Sequence, residues 1–274
     1  MLFRSLAAAK KRQNKITEYR KMLLAWKAQG IITLAGYILG FPSDTPETIR
    51  RDIAIIQHEL PLDIIEFFCL TPLPGSEDHQ VLWKKGIAMD PDLNSYDVEH
   101  VCTAHPNMSK REWEDIYREA WSLYYTPAHM KTLLRRAAAT GVPIGSLIKV
   151  LVAFASMVPL ENVHPLQSGI LRLKHPSERR PGLPRESAWT FWPRFIWSTF
   201  IKHAILTGTI ARLLLVRAAI ARDPRAHAYM DQALSPVADD EAETFDLLTK
   251  TTGAREAVAH VRKVAELTHA ARPG

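Results

Sequence analysis

The residues best equipped for chemistry are few. His100-Val-Cys-Thr-Ala-His105 places two imidazoles and a thiol within six residues. A zinc site needs four ligands, usually from two separated clusters. Here only Asp97 or Glu99 stands near enough to complete the set, and no second cluster follows. Polar loop residues that line a cleft or cap helices are the plainer reading, and no metal is expected. The other cysteine, Cys69, stands far from Cys102 in a different context. Glu66 interrupts the apolar run Ile64 to Leu70. A carboxylate there either points into a lumen toward substrate or pairs with a base at a strand edge, and the two readings stand level because a buried carboxylate needs a partner either way. Gly36 and Gly40 leave bare backbone on either side of Tyr37-Ile38-Leu39, where another backbone or a flat ligand can approach closely. No Ser/His/Asp or Cys/His arrangement has a motif around it, which puts a hydrolase far down the order.

These residues need elements to hold them. Ile31 to Leu39 is apolar and β-branched, as in a parallel strand covered on both faces. Thr45 and Pro46 form an N-cap and first-turn pair, and Glu47 suits the positive end of a helix dipole. That helix runs to about Leu60 with Ile49, Ile53 and Ile56 inward, and Pro61 lies just beyond it. Ile64 to Leu70 predicts a second buried strand. Strand, helix and strand in so short a span demand a parallel pair. Ligands of open α/β sheets bind beyond the carboxyl ends of strands, where Gly40 to Thr45 lies. On spacing alone an ordinary turn is the simpler account.

Leu34-Ala-Gly-Tyr-Ile-Leu-Gly-Phe-Pro-Ser-Asp-Thr-Pro-Glu47 and Phe67-Phe-Cys-Leu-Thr-Pro-Leu-Pro-Gly-Ser-Glu77 resemble the last two strand–loop segments of radical S-adenosylmethionine enzymes, with a flavour similar to the cobalamin-binding subgroup. The resemblance covers residues 6 to about 139. It implies the C-terminal part of a partial (β/α)6 TIM-like barrel with parallel strands. It also implies that Gly36, Tyr37, Ile38 and Gly40 border the adenine of S-adenosylmethionine, and that Phe41 and Pro42 shape its pocket. Thr71, Gly75 and Ser76 become second-rank candidates for the ribose or carboxylate, and Glu66 a candidate lining the substrate pocket. Ser43 and Asp44 depart from the glycine and glutamate common at those positions. Family chemistry also needs three cysteines at C-x3-C-x2-C to hold a [4Fe-4S] cluster. The chain has two cysteines and no such spacing. The expectation is therefore a C-terminal fragment, inactive alone, whose cluster, and cobalamin if used, would come from a missing N-terminal part.

Beyond Asn107 the pattern turns helical. Ser109-Lys-Arg-Glu112 is a capping box, followed by Trp113, Ile116, Tyr117, Ala120, Trp121 and Tyr124 at helical spacing. Such an aromatic stripe reads as core. Thr126-Pro127 starts the next helix, with Met130, Leu133, Leu134 and Ala137 inward and Gly141 closing it. An N-terminal helix, Leu6 to Gln29, carries Lys10, Lys11, Arg12 and Lys15 as a solvated face. The expected division is a barrel portion over 1–140 and an all-α region over 141–274, with a basic, proline-rich linker near 171–188.

Pro143 to Val158 and Trp189 to Ala221 predict apolar helices. Lys149 and Glu161 border the first, and Lys202 and Arg212 interrupt the second, which argues against a transmembrane span. Arg194, Ser198, Lys202, Thr209 and Arg212 share one side, so contact with a membrane surface through 189–221 stands beside plain packing. The 35 basic and 29 acidic residues give a net charge of +6, a mild excess. The basic residues have no aromatic interleaving, so nucleic acid is not an expected partner. Two cysteines without paired spacing, and no secretion signal, place the chain in the cytoplasm. The leading functional expectation is thus part of a radical S-adenosylmethionine enzyme acting on a small molecule. The alternative is a non-catalytic interaction or membrane-surface module on an inert scaffold.

Overall fold

The structure, a computed structural model, describes residues 16–167, 182 and 186–236. Helix α1 (Ile16–Lys27) leads into strand β1 (Leu34–Leu39), helix α2 (Pro46–Glu59) and strand β2 (Ile64–Cys69). The short α3 (Glu77–Lys84) precedes a loop region with one 3₁₀ turn, Leu93–Ser95, and a lone antiparallel bridge between Met89 and Thr103. Helices α4 (Lys110–Tyr124), α5 (Pro127–Thr140), α6 (Ile144–Glu161) and α7 (Ala188–Arg222) complete the order. The described residues thus form a mixed α/β structure dominated by helix, with a single two-stranded parallel sheet. The basic cluster Lys10 to Lys15, most of the 171–188 linker and the tail helices beyond 236 lie outside the described residues.

Local sequence dictates most helix ends. Thr45 and Thr48 form a reciprocal capping box on α2, and Ser109 and Glu112 form another on α4. Thr126 caps α5, which ends at Gly141 in the left-handed conformation, φ 75°. The predicted stripe from Trp113 to Tyr124 is buried along its whole length.

β1 and β2 pair in register from Leu34 opposite Ile64 to Leu39 opposite Cys69. Ala35, Tyr37 and Leu39 with Ile65, Phe67 and Cys69 make one sheet face, packed against helices. Phe67 meets Trp121 edge-on at 5.3 Å and Tyr124 at 6.4 Å. The opposite face carries Leu34, Gly36 and Ile38 beside Ile64, Glu66 and Phe68. The sequence led to a first strand covered on both faces; instead Leu34, Gly36 and Ile38 are exposed. The physical reason is that the helical layer covers one side of β1, and no described element packs on the other. β2 is buried apart from half-buried Phe68, because α4 and α6 both reach it.

The two edges of the sheet differ. Ile64 and Leu70 donate to the carbonyls of Thr33 and Leu39 at 3.0 and 2.8 Å. Alternation then turns the backbone groups of Leu34, Gly36 and Ile38 to the outer edge of β1. No strand pairs there among the described residues. The outer edge of β2 is engaged at Ile65 and Cys69. The Tyr125 hydroxyl accepts from Ile65 N–H at 3.1 Å and donates to Ile65 C=O at 2.7 Å. Cys69 N–H donates to Val98 C=O at 2.7 Å, with Val98 at φ 65°, a rare conformation for a β-branched residue.

One continuous apolar core runs from Leu23 to Ile220. Two buried cations inside it are paired. Lys27 meets Asp63, which also accepts from Thr33 N–H at 2.9 Å. Arg136 reaches Asp231 at 2.8 Å and the carbonyl of Gln57 at 2.9 Å. Both α6 and α7 are long and apolar enough to cross a membrane by length and composition. They differ in surroundings: 44% of the apolar window in α6 is buried, against 11% in α7.

Candidate functional site

Because the strands are parallel and in register, the loops Gly40–Thr45 and Leu70–Ser76 leave the same end of the sheet. The structure therefore brings together the two loops singled out in the sequence. Within them the individual residues fare differently.

Gly40 has φ 104°, and a Cβ built on it would lie 1.8 Å from the Trp113 ring. Its bare backbone is used by an indole of α4, so it leaves no room there for a ligand. The adjoining amides are also engaged: Asp44 Oδ2 accepts from Gly40 N–H and Phe41 N–H, each at 2.9 Å. His105 and Asn107 latch the same turn. His105 Nδ1 accepts from Asn107 N–H at 3.1 Å, which leaves Nε2–H to donate to Phe41 C=O at 2.8 Å. Asn107 Nδ2 donates to Pro42 C=O at 2.8 Å. Phe41 is half-buried and Pro42 exposed.

Tyr37 lies on the helix-packed face and donates to Asp52 at 3.1 Å. Burial first, and the Asp52 carboxylate second, hold its phenol well above the ordinary range. It thus points away from the open face. Gly36 and Ile38 lie on that open face, Ile38 being 36% exposed. A Cβ on Gly36 would press to 2.9 Å from the Phe68 ring, so this glycine lets the ring lie flat across the neighbouring strand.

Glu66 shares this face, in register with Gly36. Among the described residues no base pairs with it, and burial pushes its carboxyl up toward the neutral form. The strand-edge ion pair, one of the two sequence readings, is not formed. Beside it, His164 stacks on Phe68 with centroids 5.0 Å apart and planes at 19°. His164 is buried, its Nε2 has no hydrogen-bond partner, and burial lowers its pKa to about 4. Its backbone N–H donates to Glu99 Oε1 at 2.7 Å. Nothing in the sequence around a lone histidine after α6 marked it out.

At the tip of β2, Thr71 Oγ1 donates to Cys69 C=O at 3.0 Å. Gly75 is exposed at φ 89° with open space around its Cα. Ser76 caps α3 by accepting from His79 N–H at 3.2 Å. Cys69 and Cys102 are free and buried. Burial pushes both thiols up, the reverse of what a thiolate ligand needs. They do not fit an iron–sulfur cluster. His100 is held by Asp97 at 2.8 Å. Among the described residues no group of three or more His, Cys, Asp or Glu side chains is placed to hold a metal.

What remains open along the sheet is the outer face of β1 at Gly36 and Ile38, with half-buried Phe68, buried Glu66 and His164 beside it. The described residues define a mixed α/β protein dominated by helix, whose two-stranded parallel sheet is exposed on one face of β1. Compared with known protein families and with curated proteins, the chain matches none.

Proposed function

We propose that this face is the adenine-side and substrate-side wall of a radical S-adenosylmethionine barrel, completed by strands that add to the outer edge of β1. The observation that carries the reading is the asymmetry of the sheet. The outer edge of β2 is engaged by Tyr125 and Val98, while among the described residues no strand pairs with the outer edge of β1, beside exposed Gly36 and Ile38. When bound, S-adenosylmethionine at a reduced [4Fe-4S] cluster supplies a 5′-deoxyadenosyl radical. In this reading the cluster, and cobalamin where used, sit on polypeptide outside this chain, since Cys69 and Cys102 do not fit that role. Ile38 gives the adenine an exposed apolar surface, with Gly36 and the Phe68 ring packed against it alongside. Glu66, whose carboxyl burial shifts upward, offers a hydrogen-bonding group to substrate or cofactor in a dry setting. The Gly40 turn acts as a rigid buttress behind them, and Thr71, Gly75 and Ser76 frame the neighbouring rim.

Isothermal titration calorimetry with S-adenosylmethionine tests the reading on the chain as it stands. Weak binding is expected, reduced about tenfold in Ile38→Asn, whose exposed site leaves the core untouched. A parent that takes up no S-adenosylmethionine, or an Ile38→Asn protein that binds it equally well, overturns the assignment.

A further inference from the structure

Helix α7 has a stripe that the other described residues do not cover. Its inner side, with Leu206, Ile210, Leu213, Val216 and Ile220, packs on the body. Trp189, Trp192, Ile196 and Phe200 recur along its first half at spacings of three and four residues, with Trp197 next to Ile196. They lie open: Trp189 is 90% exposed, Trp197 66% and Phe200 62%. Pro193 completes a continuous apolar recess along this stripe. Thirteen residues from Ala188 to Phe200 make an arm of about 20 Å at 1.5 Å per residue.

The chemistry of the arm selects its partner. Three tryptophans within nine positions suit the boundary between head groups and acyl chains, where the indole ring is buried and its N–H stays wet. From 188 to 222 there is no Asp or Glu, whereas Arg194, Lys202, Arg212, Arg217 and Arg222 are all cationic. Lys202 is tethered at 2.8 Å to Glu161 at the end of α6, which holds the base of the arm to the body, and Arg194 pairs with Glu186 just ahead of the helix. A helix with one side docked, one side aromatic and no acidic residue fits a surface carrying anionic head groups over an apolar layer.

We infer that the Trp189–Phe200 stripe of α7 seats this protein on an anionic lipid bilayer, lying in the interface plane. The inference is independent of the cofactor reading above.

Flotation of the full chain with phosphatidylcholine vesicles, with and without phosphatidylglycerol, tests it, read alongside quenching of tryptophan fluorescence by brominated lipid. The expected result is recovery with the phosphatidylglycerol vesicles, weakened by high salt, with bromine quenching of the indoles. In Trp189→Ser/Trp197→Ser the bound fraction should fall by about tenfold or more, with an unchanged melting curve because both rings are exposed. Three results overturn the inference: no flotation with either vesicle, equal flotation of parent and double variant, or bound protein without bromine quenching. A fourth is a lipid-free dimer, seen by light scattering and abolished by the double substitution, from a parent that does not float; the stripe would then be an interface between copies.

Discussion

Gly40 shows how one residue's meaning depends on its distant neighbour. Its missing side chain admits the Trp113 ring, and its φ of 104° suits glycine alone. Gly40→Ala should therefore cost about 3 kcal/mol or more, combining backbone strain with an overlap that the buried indole cannot yield to. Urea unfolding followed by tryptophan fluorescence measures it; a loss under about 1 kcal/mol would mean that α4 can withdraw from the turn. The same geometry explains why glycine spacing alone pointed to a ligand pocket. A bare backbone announces that something comes close, and the sequence does not say whether it is a purine or an indole from a helix far down the chain. Tyr37 carries a related lesson: its neighbours in sequence face the open side, but alternation and Asp52 turn it to the helices.

At the scale of elements, most of the helices could be read directly. The box Ser109-x-x-Glu112, the pair Thr126-Pro127 and Gly141 act within one or two turns, so local chemistry suffices to place them. The parallel pairing of the two strands followed equally from their short helical connection. What escaped was the finish of the sheet. Tyr125 reads as one more aromatic at the end of a core stripe, yet its hydroxyl satisfies both backbone groups of Ile65 on the outer edge of β2. His164 escaped for a similar reason, since only the folded chain lays it on Phe68. Tyr125→Phe should leave a buried N–H and C=O without their partner and cost about 2 kcal/mol. Hydrogen exchange of the Ile65 amide should quicken by more than that of its neighbours in β1. Exchange that speeds up equally throughout the sheet would show that the hydroxyl supports the fold globally instead of guarding this edge.

For the molecule as a whole, two buried imidazoles couple folding to pH. Burial lowers His164 to about 4 and His129 to about 3, from an ordinary 6.5. Groups kept neutral by burial stabilise the fold fully above 6.5. That stability is lost as pH falls from 6.5 toward about 4 for His164 and about 3 for His129, because the unfolded chain takes up protons that the native state refuses. Each group removes about 1.4 kcal/mol per pH unit within its window. Thermal melts across this range should fall less steeply for His164→Phe, which keeps a ring against Phe68, than for the parent. Parallel curves for the two proteins would remove His164 from the acid response.

The unequal borders of the sheet also govern how copies of this chain could stick together. Among the described residues a border that accepts strands on one flank passes the invitation on poorly, because the far flank is engaged at Ile65 and Cys69 by Tyr125 and Val98. Two copies meeting through their receptive flanks would consume the unpaired strand edge that each offers among the described residues. Strand-mediated growth would then halt at pairs and would not extend into fibres.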